Sequence, residues 1–365
     1  MESSSRMMLL AASLQVCVVH SSNSQKQIFA TESSDFRKVV KSCFFVDKSM
    51  LIRDLFEENQ AFQEITAGPH FAKSTNLDMI KRFFSITVNR EGVPVRANIT
   101  SNYKLFQDNK LLIYENDKKF FNIHFGNYPV LYIDYKPLDG VSSFDHMLRK
   151  YRQILSNTFS QHKYLLEVAT TWNNEFNRTM FESYLEYSPL YDLHKEDVRN
   201  GFIFLSSLLF RHFNKCVFVL IDDYDIVSMS PVNAHDRSDV IEFVRSVNNA
   251  LVQHSRYVGR AVVTGSLWRG RTMRPSGVSV APNSIGKYYG LSLSELKPLL
   301  LKFLNDETEV EDAADYIIAT YSGYVHDEEW YLDQSAPSTR GSQVCSVWSV
   351  IQYCVCHRKL NITMF

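Results

Sequence analysis

Three stretches of this sequence are too apolar to lie against water, Asn127 to Tyr135, Cys216 to Ile221 and Gly259 to Val263, and Phe62 to Thr66 reads as a short extended segment. Segments of helical spacing separate them. Met50, Leu51, Leu55 and Phe56 share a face within Lys48 to Asn59, and Leu77, Ile80, Phe83 and Phe84 do so in the next helix. Further helices are expected over Ser142 to Leu166, Asp197 to Phe213, Ser238 to Val252, Leu293 to Leu304 and Glu309 to Thr320, with a helical insertion in Trp172 to Tyr191. Phe44 to Val46 reads as extended. Apolar strands alternating with helices predict a parallel sheet covered on both faces. In such sheets ligands sit beyond the carboxyl ends of the strands. Three of these ends carry polar groups: Thr66 to Ser74, Asp222 to Asp225 and Thr264 to Ser266.

The first of these ends follows part of a phosphate-binding plan. That plan is a strand, a glycine-bearing loop, then Lys and a hydroxyl residue opening a helix. Backbone amides cradle the phosphates, the lysine holds a terminal phosphate and the hydroxyl binds Mg²⁺. Lys73, Ser74 and Thr75 stand where the plan needs them. The glycines do not: Ala67 and Ala72 occupy both expected glycine positions, and Gly68 comes one residue late. The second end fits better. An apolar strand closing on acids would let Asp222 hold Mg²⁺ through water and Asp223 orient an attacking water. Thr264 or Ser266, at the third end, would sense the γ-phosphate. Taken singly, Lys73-Ser74 reads as an exposed helix start and Asp222 to Asp225 as an acid-capped turn. Their order on successive strand ends favours a nucleotide site.

With these residues assembled, the chain resembles the AAA-ATPase-like family of predicted P-loop ATPases, found in bacteria, archaea and some insects. The matching blocks are Asp35 to Val40 with Phe44 to Ser49; Ile65-Thr66 with Phe71 to Phe84; His124 to Val130; Leu220 to Asp225; and Thr264 to Leu267. Val347-Trp348-Ser349 resembles the family's Pro-Trp-Ser segment. The resemblance implies an α/β fold, a P-loop NTPase-like parallel sheet sandwiched by helices, with ATP and Mg²⁺ as cofactors. By the same resemblance Gly68, Ala72, Lys73, Ser74 and Thr75 bind nucleotide, Ser74 and Asp222 hold the metal, and Asp223 and Thr264 are catalytic. Active relatives work as oligomers with an arginine crossing an interface; Arg260, Arg269 and Arg271 are candidates by position.

The chain departs from the family pattern at the loop and the Walker B acid. Pro69-His70 replaces a basic pair, Ala72 replaces glycine and Asp223 replaces glutamate. A methyl at Ala72 would crowd phosphate or force a strained φ, at about 1–3 kcal/mol. Asp223 is one methylene short for placing a water. Together these changes imply weak or lost hydrolysis. No Asp…Glu-x-Lys run follows Trp348, so no nuclease region is expected.

The N-terminus has a secretory layout: Arg6, then the apolar Met7 to Val19, then small polar residues from His20 to Gln25. A cleaved signal over residues 1–24 is expected; an amphipathic N-terminal helix or a disordered leader is the alternative. The apolar run is too short to span a bilayer, and no later stretch qualifies. Cys43, Cys216, Cys345, Cys354 and Cys356 would remain, an odd number that leaves a thiol free. Asn98, Asn177 and Asn361 begin glycosylation triplets that matter only after secretion. Lys plus Arg number 39 against 40 Asp plus Glu, a balance without the basic excess that general nucleic-acid binding needs. The expected organisation is a signal, an ATPase-like domain over residues 35–320 and a short extension over 321–365. The expected role is a secreted, non-catalytic, venom-type effector of an unknown protein target, oligomeric or not. A Mg²⁺-dependent ATPase using Lys73, Ser74 and Asp222, acting in the cytoplasm, is the alternative.

Overall fold

A computed structural model describes residues 17–20, 26–29, 33–185, 194–253, 255–266, 275–281, 283–304, 306–325, 342–358 and 362–364. The signal over residues 1–24 falls largely outside these, as do Arg269 and Arg271. Contacts group the chain into two units: Ile52–Ala67 with Ile80–Ala281, and Met1–Leu51 with Gly68–Met79 and Pro282–Phe365.

The Ile52–Ala281 unit holds the main sheet. Its strands are β1 (Phe62–Thr66), β2 (Val130–Asp134), β3 (Val217–Asp222), β4 (Val258–Gly265) and β5 (Ser279–Val280). They lie in the order β2-β3-β4-β1-β5, every pair parallel. The fold is the expected α/β class, a parallel sheet flanked by helices of P-loop NTPase-like kind. Every residue of β3 is buried, which explains its lack of alternation. One face of the sheet, with Leu131, Ile133, Val219, Ile221 and Val263, packs in a large apolar core. Tyr151, Leu155 and Phe159 of the helix Phe144–Ser160, Phe202 and Leu205 of Lys195–Phe213, and Phe243 and Val247 of Arg237–Val252 fill the same core. Against the opposite face Phe84 meets Phe218, with ring centroids 5.0 Å apart. Phe84 belongs to an aromatic cluster with Phe56, Phe83, Phe120 and Tyr128.

The other unit has its own core, in which Leu296, Leu299 and Leu300 of the helix Leu293–Leu300 meet Ala313, Ala314 and Ile317 of Glu307–Tyr321. Lys48 is held there by Glu295, at 2.6 Å, and by the Lys287 carbonyl at 3.0 Å. Phe44 to Val46 are not a strand, contrary to the sequence expectation. They form a turn and coil in which Phe44 stacks on Phe303 with centroids 4.5 Å apart. The apolar run is explained by burial in this core rather than by sheet pairing. The division between the units falls inside α1, the helix Lys73–Phe84.

Candidate nucleotide site

The loop after β1 has the backbone of a glycine-rich turn without the glycines. His70 has φ 67° and Ala72 φ 63°, both left-handed. Histidine tolerates that region better than most residues, whereas alanine has no side-chain group to compensate. Lys73, only 8% exposed, donates from Nζ to the Gly68 carbonyl at 2.9 Å and so closes the loop on itself. Ser74 and Thr75, both half-buried, follow in the first turn of α1. The turn is anchored in its own unit. Asn76 donates to the Tyr288 carbonyl at 3.1 Å, and Asp78 accepts the Phe36 amide at 2.8 Å. The Phe71 ring packs so closely that a β-carbon at Gly290 would lie 2.9 Å from it. His70 stacks on Trp348, centroids 5.7 Å apart, which gives Trp348 a contact with the loop.

In the other unit the strand ends assemble a carboxylate cluster. β2 and β3 pair Asp134 with Asp222, and β1 and β4 pair Ile65 with Thr264. Asp222 is 2% exposed; its Oδ1 accepts from the Thr264 hydroxyl at 2.5 Å and its Oδ2 from the Tyr132 hydroxyl at 3.5 Å. Ligand oxygens of Asp134, Asp222 and Asp223 all lie within 4.8 Å of one another. Burial pushes the Asp134 carboxyl above its ordinary range; the Lys136 amide opposes this and the charge of Asp222 adds to it. Asp223 has φ 51°, a left-handed turn that brings its carboxylate back toward Asp222.

The turn after β3 is locked to the end of β4. The Tyr224 amide donates to the Thr264 carbonyl at 3.0 Å, and Asp225 accepts the Ser266 amide at 2.9 Å. The Tyr224 hydroxyl donates to buried Glu64. A β-carbon at Gly265 would lie 2.5 Å from Tyr224 and 2.9 Å from Asp225, so only glycine fits.

Asp222, Asp223 and Thr264 therefore meet, and Asp134 joins them. Asp134 was missing from the sequence reading although it carries the same signal as Asp222: an acid closing an apolar strand. The Thr264 hydroxyl is directed at Asp222, which makes it an orienting donor as well as a candidate sensor. Arg260 is half-buried, its guanidinium 4.1 Å from the Phe56 ring centroid, so this candidate finger is engaged within its own unit. Hard carboxylate oxygens without sulfur or imidazole suit Mg²⁺. The Asp134 carboxyl is raised chiefly by burial, with the charge of Asp222 adding to it, and a cation at the cluster would favour its ionised form.

Comparison with known families matches residues 32–268 to a family described as "Predicted AAA-ATPase" (AAA-ATPase-like). Curated proteins and solved structures give no match.

Proposed function

Since this chain belongs to the AAA-ATPase-like family, we propose that it is a secreted member whose nucleotide site is degenerate, acting as a non-catalytic effector on a protein target. The observation that carries the reading is Ala72 at φ 63° directly before Lys73. The loop keeps the backbone that glycine would give, but a methyl stands where phosphate must approach the amides. Two further features support it. Pro69-His70 supplies no fixed cation beside the loop, and Asp223 is both shorter than glutamate and turned toward the metal cluster. The charged-then-apolar N-terminus supports secretion, and scarce extracellular ATP fits a protein that does not depend on turnover.

A second reading, a working Mg²⁺-ATPase, is favoured by the Asp134–Asp222–Asp223 cluster and its Thr264 donor. By the phosphate-loop plan Lys73 would bind the β- and γ-phosphates, Ser74 and Asp222 would hold Mg²⁺, and Asp223 would position water. Bound Mg²⁺ would supply charge neutralisation on the phosphates. The readings part on phosphate release from Mg²⁺-ATP by the purified chain. Degeneracy predicts a rate indistinguishable from that of Lys73→Ala; release at least about tenfold above that variant, or about 1.4 kcal/mol of barrier, selects the ATPase. Intact-mass measurement on secreted protein tests the leader: loss of about 24 residues supports secretion, and a full-length N-terminus removes that part of the reading.

A further inference from the structure

Near the amino-terminal end of β2, away from the carboxylates at its other end, the sheet unit contains a second concave site. It is a cavity of about 380 Å³, within the usual range for small-molecule pockets. The end of α1, the segment after it, the start of β2 and the helix Lys195–Phe213 line it. Much of the wall is apolar, with Val88, Leu209 and Phe213. No aspartate or glutamate is among the described residues that line it, so a cationic ligand would meet no counter-charge.

His162 and Tyr164 form a polar pair in this wall: the His162 Nδ1 meets the Tyr164 hydroxyl at 3.3 Å. The surrounding fold holds both. The His162 amide donates to the Phe159 carbonyl at 2.9 Å, and the His162 carbonyl accepts the Leu165 amide at 3.0 Å. The Tyr164 ring packs on His212 and Phe213, with centroids 5.9 and 6.4 Å away. It also closes on Gly92, where a β-carbon would lie 3.3 Å from the ring. A ligand therefore meets a pair that is already ordered. Among the described residues nothing bonds the opposite His162 ring nitrogen, Nε2. Burial first, and then the charge of Lys81, hold His162 down to about 3, and burial raises the Tyr164 hydroxyl, so both groups are neutral at physiological pH. Lys81 and Arg90 line the cavity as well, but Lys81 already donates to Gln161 at 3.0 Å and Arg90 is exposed.

We propose that this cavity binds a neutral phenol, whose hydroxyl bonds His162 Nε2 and whose ring lies against Val88, Leu209 and Phe213. Nε2 donates or accepts according to which way the Tyr164 hydroxyl turns, and a ligand hydroxyl answers either arrangement. A carboxylate or an ether can only accept, so each serves one tautomer alone. A bare hydrocarbon would fill the apolar wall but leave Nε2 without a partner in a partly desolvated site. The aromatic body follows from the Phe213 and Tyr164 rings, which offer edge and face contacts. The inference does not depend on the nucleotide reading, since the cavity lies at the other end of β2.

The test titrates the full chain at neutral pH with 4-ethylphenol, with 4-ethylanisole as the capped control and 3-phenylpropionate as the anionic one. Binding is read by calorimetry and by the NMR shifts of the His162 ring nitrogens. The expected result is saturable binding of the phenol at a Kd of about 1 mM or tighter, with the Nε2 resonance shifting in step. The ether and the acid each bind at least about tenfold more weakly, and His162→Phe weakens the phenol by a similar factor. Should His162→Phe misfold, Val88→Phe, which fills the cavity from a half-buried position, must weaken the phenol in the same direction. Overturning results are equal binding of phenol and ether, tighter binding of the acid, binding that is indifferent to both substitutions or leaves the His162 ring unmoved, or no saturable binding of the phenol.

Discussion

Ala72 bears a β-carbon at φ 63°, where an L-residue loses about 1–2 kcal/mol relative to a right-handed conformation. Ala72→Gly is therefore expected to stabilise the chain by about 1 kcal/mol, read as a higher midpoint in denaturant unfolding with an unchanged slope. Asp223 shares the left-handed geometry, but aspartate populates that region more readily than glutamate does. Asp223→Glu alone should thus lower stability, by about 0.5 kcal/mol, so lengthening this acid works against the local backbone. The same turn brings the Asp223 carboxylate beside those of Asp134 and Asp222. Thr264→Val removes the 2.5 Å donor to buried Asp222 and should cost about 2 kcal/mol in the same unfolding measurement. His70 and Asp223 were not legible as left-handed residues, because glycine is the usual sequence sign for that conformation. Asp222 was legible because it ends a wholly apolar strand; Asp134 carried the same sign and was overlooked.

β3 was readable because burial on both faces leaves no polar alternation to confuse it. β3 and β1 lie within a residue of their expected bounds. The edge strand β5, of two residues, is too short to leave a periodic trace. Phe44 to Val46 misled because an apolar triplet in a helical core looks like a strand. One irregularity also has a sequence cause. The pairing of β3 with β4 steps from Val217–Val258 to Phe218–Arg260, so Gly259 is the extra residue of a bulge. A β-carbon there would lie 2.7 Å from the Cys216 β-carbon, and neither atom can swing away. Gly259→Ala is expected to destabilise by about 2 kcal/mol, lowering the thermal midpoint.

Three histidines in the sheet unit bear on the stability of the whole molecule. His162, His124 and His212 are all held below the ordinary histidine value of 6.5, each chiefly by burial. An unfolded chain takes up these protons near pH 6.5, whereas the folded chain resists until lower pH, about 3 for His162. Their stabilising effect is therefore complete above pH 6.5 and is lost as pH falls through the window toward 3. The thermal midpoint should drop across that interval, and His162→Gln should flatten the drop. Among the described residues no helix is long and apolar enough to cross a membrane. The near-zero net charge has a local counterpart: no lysine or arginine stands among residues 67–72 before Lys73, which donates to the Gly68 carbonyl.

A degenerate phosphate loop is the claim on which the functional account rests, and calorimetry with Mg²⁺-ATP addresses it most directly. The account predicts binding no tighter than about 100 μM for the natural chain, tightened roughly tenfold by Ala72→Gly. Binding near 1 μM that disappears in Lys73→Ala and is unchanged by Ala72→Gly would contradict it.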